Sequence, residues 1–396
     1  MRFQSYFNTA LILIGQYDGT MPLVHFLKQY FAQHKKHGSK DRKLITHLCY
    51  CFYRLGHVLK EQPVEERLRI AFFLCNEAAG DWALLYEASW LTHWNTDLNA
   101  RIEFIHSLFP DFSAENIFPW RWALCDGIDA EAFAVSHLVQ PDLFLRIRPG
   151  KQTSVLQKLT DHQISYRQIT TNCLALANAS KVDTILNIDK EVVVQDYSSQ
   201  RIGEFLSAIV NSGPQVLRVW DCCAASGGKS LLVYDLLVNI QLTVSDIRPV
   251  ILRNLTERFE KAGIKKYQSF TADLVNTKLK MYQEIAGAAF NILLCDAPCS
   301  GSGTWGRTPE QLYFFTEEKI SEYATLQKKM VANVMPFIAA NGYLLYITCS
   351  VFKKENEEVV TFIQENNKME LVKMEVLKGY DMRADSMFAA LFMHKR

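Results

Sequence analysis

Val216-Leu217-Arg218-Val219-Trp220-Asp221-Cys222 leads directly into Cys223-Ala224-Ala225-Ser226-Gly227-Gly228-Lys229. The first run has the apolar, β-branched character of a buried strand, and the pattern turns helical from Lys229. Between them lie small residues and a Gly-Gly pair that lets the backbone approach a ligand closely. Strand, small-residue loop and helix together open a nucleotide-type α/β fold. The loop is not G-x-G-x-x-G, and the G-x-x-x-x-G-K-[ST] spacing also fails, so a pyrophosphate binder is disfavoured.

Downstream, strands alternate with helices. Strands are expected at Thr243 to Ser245, Gln268 to Ala272, Asn291 to Cys295 and Tyr343 to Thr348. Helices are expected up to Ala262, over Glu317 to Ile338, and from Glu355. This alternation predicts a parallel, doubly wound sheet with helices on both faces, which binds ligands at the carboxyl ends of its strands. The chemistry-bearing residues fall at those ends. Asp246 closes the second strand, 18 residues past Gly228, where a carboxylate can accept both ribose hydroxyls of an adenosine. Asp273 closes the next and could accept from an adenine amino group.

Asp296-Ala297-Pro298-Cys299-Ser300 ends the fourth strand and Thr348-Cys349-Ser350 the fifth. If these strands are neighbours, about 5 Å apart, two thiols and a carboxylate converge on one cleft. An isolated cysteine at a strand end is ordinarily a small buried hydrophobe. Two of them, each in a polar motif after an apolar strand, suit covalent catalysis on a pyrimidine. Cytosine C5 is too weak a nucleophile to take a methyl group unaided, and thiolate addition at C6 makes it an enamine carbon. A carboxyl group at N3 favours the attack, and a base must then remove the C5 proton so that the thiol can leave. The base must also leave any stack.

The chain has 396 residues, 49% of them hydrophobic and 21% charged, with a formal net charge of +1. These values describe a folded protein of two or three domains, and any nucleic-acid partner must be met by a local basic surface. No signal peptide and no membrane-spanning run is recognised, so the expected location is cytoplasmic with no membrane partner. The ten cysteines are scattered, read as reduced thiols, and show neither a C-x-x-C pair nor zinc spacing; no metal is expected. Cys222, Cys223 and Cys295, in or beside apolar strands, read as structural.

Residues 1–126 carry helical periodicity, as in Leu44-Ile45-Leu48-Cys49-Phe52-Leu55. Lys35, Lys36, Lys40, Arg42 and Lys43 cluster there, either as a solvated loop and helix start or as phosphate contacts. Residues 127–199 read as a small α+β module, whose Arg146, Arg148, Lys151 and Lys158 could line an RNA path or be surface residues. Residues 200–396 form the α/β domain.

In these motifs the chain resembles the Nop/Sun family of RNA cytosine-5 methyltransferases, especially the bacterial Sun-type enzymes acting on small-subunit ribosomal RNA. The match runs through about the last two hundred residues. Asp221 to Lys229 meet the family's D-x-C-A-A-P-G-G-K loop, Asp246 its ribose acid and Asp273 its adenine-side acid. Asp296 to Ser300 meet D-A-P-C-S, and Thr348 to Ser350 meet T-C-S. The resemblance implies a Rossmann-like class I domain using S-adenosyl-L-methionine. Cys223, Ala224, Ala225, Ser226, Gly227, Gly228, Lys229, Asp246, Asp273 and Asp296 would then bind the cofactor. Cys349 would be the nucleophile, Cys299 would aid release, and Asp296 would also contact the base. The implied partner is RNA, 16S rRNA ahead of tRNA, with no obligate protein partner. Gln195 to Gln200 also resembles the segment leading into the family's catalytic domain, and Gly38 to Thr46 resembles its NusB-like RNA-binding helical domain. Ser226 replaces the family's proline, and Asp385-Ser386-Met387-Phe388 replaces a glycine-rich stretch at the edge of the site. A DNA cytosine-5 methyltransferase would attack with Cys299 and need no Cys349. A non-catalytic RNA-binding or assembly factor on the same fold is the alternative outside enzymes, and a nicotinamide dehydrogenase lacks its glycine spacing.

Overall fold

A computed structural model describes residues 2–207, 209, 216–276, 284–285, 287–366 and 368–395. The chain divides into two compact units, one of Met1–Trp122, Asp129–Gln140 and Thr304–Thr316, the other of Ala123–Ile128, Pro141–Gly303 and Glu317–Arg396.

The first unit is helical, as its periodicity predicts. Its main helices are Arg2–Gln16, Leu23–Gln33, Ser39–Arg54, Val64–Cys75 and Leu98–Leu108. The basic run of residues 35–43 spans a helix start, where the Asp41 carboxylate accepts the Gly38 N–H at 2.9 Å and caps the helix Ser39–Arg54. Residues 304–316 return to this unit from far along the chain and are held in its core. Glu310 accepts the Leu23 N–H at 3.2 Å, His57 Nε2 donates to the Leu312 carbonyl at 2.9 Å, and Phe314 meets Tyr17 edge to face. Nothing in the periodicity announces that excursion.

The second unit holds two sheets. β1 (Leu143–Ile147), β2 (Arg167–Thr170), β3 (Cys173–Leu176) and β4 (Val192–Val194) form an antiparallel sheet in the order β2-β3-β1-β4. The larger sheet contains β5 (Leu217–Asp221), β6 (Ile240–Asp246), β7 (Tyr267–Thr271), β8 (Phe290–Asp296), β9 (Ile338–Thr348), β10 (Met369–Leu377) and β11 (Met387–His394). Their order is β10-β11-β9-β8-β5-β6-β7. β5 to β9 pair in parallel, and β11 joins β9 antiparallel with β10 beyond it. This is the expected α/β architecture with helices on both faces. Alternate strand residues feed opposite faces: Trp220, Leu293 and Tyr346 pack on one, Val219, Leu294 and Leu345 on the other.

Two local readings shift. The helix expected over Glu317 to Ile338 is Glu318–Val334, because Pro336 lacks an N–H and restricts the residue before it; β9 therefore begins at Ile338. The two C-terminal strands were not anticipated: β10 alternates in burial, but β11 is buried on both faces over six of its eight residues and shows no alternation.

The basic residues of the α+β module are mostly tied internally. Arg146 and Arg148 share the Asp235 carboxylate at 2.6 and 2.7 Å, all three nearly buried, and Lys158 bonds Glu191 at 2.8 Å. Arg146 and Arg148 bind the smaller sheet to the helix that carries Asp235, and Arg148 also borders an open surface cavity with Lys151, Lys190 and Lys261.

Candidate active site

The loop after β5 takes its shape from sharp backbone turns. Ala225 and Gly227 both lie in the left-handed region, at φ 47° and 83°. A methyl on Gly227 would sit 2.7 Å from the Phe259 ring and 3.1 Å from Leu255, so glycine is required for both conformation and packing. Ser226, at the family's proline position, is exposed, and its hydroxyl lies 3.4 Å from the Arg258 guanidinium; the turn forms without the proline. Asp246, 6% exposed, fastens the loop from the next strand. One carboxylate oxygen accepts the Ala225 N–H at 3.0 Å and the other the Arg248 N–H at 2.9 Å.

A cavity of about 540 Å³ opens beside this loop at the carboxyl ends of the parallel strands. Cys223, Ala225, Asp246, Asp273 and Asp296 lie on its wall, with apolar surface from Ile247, Leu274, Pro298 and Met330. Two carboxylates flanking an apolar slot can take a polar sugar with a flat heterocycle. Asp273 is held below the usual carboxylate range: burial alone would raise it, but hydrogen bonds from the Asn276 side chain and the Val275 N–H outweigh that. Ala224, Ser226, Gly227, Gly228 and Lys229 are not on the wall. They build the turn, and the Ala224 N–H is spent on the Ser245 carbonyl at 2.9 Å.

The pairing of β8 with β9 brings the two cysteine motifs together. Asp296 is in register with Ile347, and the Ala297 N–H donates to the Ile347 carbonyl at 2.9 Å. Beyond these positions Cys299 Sγ and Cys349 Sγ stand 3.2 Å apart. The Cys349 thiol raises the pKa of Cys299, since two thiolates cannot share so small a space. Lys229 Nζ bonds Asp296 at 2.5 Å. Burial alone would lower the Lys229 pKa, but the Asp296 charge more than offsets it, and the ammonium is held. Asp221, buried at the end of β5, is pushed up to about 7 by desolvation despite a 2.6 Å bond from the Ser230 hydroxyl.

Glu355 is a residue that reading from sequence missed. Fully buried, it accepts the Ser300 N–H and Gln327 Nε2 on one oxygen, both at 2.9 Å, and the Ser350 hydroxyl on the other at 2.7 Å. It thereby ties the residue after Cys299 to the residue after Cys349. The available signal was the first of three closely spaced glutamates, Glu355, Glu357 and Glu358, a few residues past Thr-Cys-Ser. The departure at Asp385 to Phe388 also has a defined place: the Ser386 N–H donates to the Gly303 carbonyl at 2.8 Å, so close that a Cβ on Gly303 would collide with Ser386. Arg248, beside Asp246 on the cavity wall, was likewise not anticipated.

The chain is similar to several known proteins. Residues 211–394 match a family model described as 16S rRNA methyltransferase RsmB/F. The chain is 28% identical over 257 residues to a probable ribosomal RNA small subunit methyltransferase B of Bacillus subtilis, covering 63% of this chain and 56% of that protein. It is 32% identical over 167 residues to ribosomal RNA small subunit methyltransferase B of Xylella fastidiosa, covering 42% and 37%. The chain thus spans about half the length of the curated relatives it matches or less. In fold it is similar to the crystal structure of PH0851, with a TM-score of 0.68 at 19% identity over 98% of this chain and 97% of that one. It also resembles NSun6 from Pyrococcus horikoshii, crystallised with SFG, with a TM-score of 0.56 at 13% identity over 67% and 95%.

Proposed function

We propose that the chain, whose residues 211–394 match the RsmB/F methyltransferase model, methylates C5 of a cytosine in small-subunit ribosomal RNA, with S-adenosyl-L-methionine as donor. The observation that carries this reading is the Cys299–Cys349 pair, 3.2 Å apart, next to the Asp296 carboxylate, which also borders the cavity of about 540 Å³.

The cavity suits the donor by its own chemistry. Asp246, held in place by two backbone N–H groups, would accept the ribose hydroxyls. Asp273 would accept the adenine amino group, and Ile247, Leu274 and Met330 offer apolar surface to the ring. When bound, the donor supplies an electrophilic methyl group.

In the reading favoured here Cys349 adds as a thiolate to C6, and the Lys229–Asp296 pair, facing the base, offers a proton at N3 as charge develops there. C5, now enamine-like, takes the methyl group. Cys299 then helps remove the C5 proton, and as the C5–C6 double bond reforms Cys349 departs as a thiolate and N3 returns its proton to the Lys229–Asp296 pair. The division of labour proposed is a helical RNA-orienting domain in residues 1–126, a linking module in 127–199 and the catalytic domain in 200–396.

The test is transfer from methyl-labelled S-adenosylmethionine to 16S rRNA transcribed without modification, followed by nucleoside analysis. Label in 5-methylcytidine supports the reading; label in any other nucleoside, or none from a protein that binds S-adenosylhomocysteine, overturns it.

A further inference from the structure

Three cysteines outside the Cys299–Cys349 pair converge at the floor of the cofactor cavity. The sulfurs of Cys222, Cys223 and Cys295 all lie within 4.8 Å of one another. Strand register explains the meeting. Asp221 pairs with Leu294 on the adjacent parallel strand, and the Cys222 N–H donates to the Leu294 carbonyl at 3.0 Å, so Cys222 and Cys295 are cross-strand neighbours with both side chains in the same apolar cluster. Cys223 packs against that cluster from the loop and faces the cavity. Cys222 also borders the cavity, but Cys223 is the partly exposed member of the trio, while Cys222 and Cys295 are 1% and 0% exposed.

We propose that this trio is an oxidant-responsive thiol site, in which a hydroperoxide oxidises Cys223 and Cys295 captures it as a disulfide that disables the cavity. Sulfur of Cys223 attacks the peroxide O–O bond, giving a sulfenic acid and releasing water or an alcohol. Cys295 sulfur then attacks Cys223 sulfur, forming the S–S bond and expelling water; the two thiols are oxidised and the two-electron oxidant is the peroxide. Hydrogen bonding within the trio favours the Cys295 thiolate and, with burial, raises the pKa of Cys223, so Cys295 accepts the Cys223 proton as Cys223 attacks the peroxide. A soft metal ion is a poorer occupant. A trithiolate complex of a divalent ion leaves a net negative charge beside Asp221, Asp246 and Asp296, whereas a disulfide adds none. Closing an S–S bond of about 2.05 Å moves Cys223 toward β8. That distorts the turn whose next residues, Ala224 and Ala225, hand their N–H groups to Ser245 and Asp246.

The consequence for the cofactor rests on the proposed identity of the cavity, so the experiment reads the chemistry and the binding separately. The full chain carrying Cys299→Ala and Cys349→Ala, which silences the other thiol pair, is treated with hydrogen peroxide. Mass spectrometry maps the cross-links, and calorimetry measures S-adenosylhomocysteine binding before and after. The proposal expects a cross-link between the Cys222–Cys223 peptide and Cys295, reversed by dithiothreitol, with affinity weakened roughly fivefold or more. Adding Cys295→Ser should abolish the cross-link and drive Cys223 to higher oxides, while Cys222→Ser should leave the cross-link in place. Oxidation of Cys223 without joining Cys295, or a cross-linked protein that binds S-adenosylhomocysteine unchanged, overturns it. A reduced protein that never binds S-adenosylhomocysteine sinks the cofactor reading instead, and the cross-link still decides whether the thiol site exists.

Discussion

Replacing Glu355 by alanine removes the acceptor that joins the two cysteine motifs, and its cost can be worked from the bonds present. The Ser300 N–H and the Gln327 Nε2 group lose a partner in a buried setting, whereas the Ser350 hydroxyl can turn to Ser302 Oγ, 3.2 Å away. Gln327 Nε2 keeps the Pro298 carbonyl at 3.0 Å, so the Ser300 N–H carries most of the cost, about 1–3 kcal/mol, with roughly 1 kcal/mol more for the second Gln327 N–H. Glu355→Gln should behave differently. Its amide oxygen can take over the oxygen position that serves Ser300 and Gln327, and its NH2 can donate to Ser350 Oγ, so the loss is about 1 kcal/mol. Burial raises the Glu355 pKa above the usual carboxylate range, and hydrogen bonds from Ser300, Ser350 and Gln327 only partly oppose it. A carboxylic acid with a raised folded-state pKa contributes stability that is present below its unfolded value and lost as pH rises through the folded one. The wild type should therefore lose stability as pH climbs out of the acid range, and Glu355→Gln, which cannot ionise, should not share that loss. Thermal melts of the three proteins at pH 5 and pH 8 measure this. Methyl transfer should fall roughly a hundredfold in Glu355→Ala, because thiols misplaced by about 1 Å lose alignment with the base. An alanine variant as stable and as active as the glutamine variant would refute the reasoning.

Asp246→Ala should weaken S-adenosylhomocysteine binding roughly tenfold or more, since bonds to a charged acceptor contribute about 1.5–3 kcal/mol each and the Ala225 turn also loses its anchor; calorimetry reads it, and unchanged affinity would remove Asp246 from the site. Gly227→Ala should cost roughly 1–2 kcal/mol for the left-handed backbone alone, with the contact to Phe259 added, and should be visible as a lowered melting temperature. Asp235→Ala strands Arg146 and Arg148 beneath the sheet, and urea unfolding should report a loss of roughly 3–5 kcal/mol. Asp221, raised to about 7 by burial, contributes stability that disappears as pH rises from the ordinary carboxylate range through 7; Asp221→Asn should flatten the melting profile between pH 5 and pH 8.

The parallel sheet was legible because its strands are apolar runs bounded by helical periods, and because Asp246, Asp296 and Thr348 mark carboxyl ends without reference to tertiary contacts. The meeting of Cys299 with Cys349 was legible for the same reason: both follow strands whose neighbouring positions could be guessed. What stayed hidden depends on pairing across long stretches of chain. Cys222 and Cys295 are 73 positions apart and become neighbours only through the β5–β8 register. Arg146 and Arg148 look like surface cations until Asp235, on a helix of the other sheet, neutralises them. β11 hides its strand character because both of its faces are buried. The return of residues 304–316 to the helical unit leaves no periodic trace, since its signal is a cluster of aromatic contacts such as Phe314 on Tyr17.

The central claim, that two thiols divide attack and release between them, is tested most directly by incubating Cys299→Ala and Cys349→Ala separately with unmodified 16S rRNA and S-adenosylmethionine, then resolving protein on denaturing gels. The account predicts that Cys299→Ala accumulates a covalent RNA–protein adduct while Cys349→Ala forms none and transfers no methyl group. An adduct formed by Cys349→Ala, or methyl transfer that survives its loss, would contradict it.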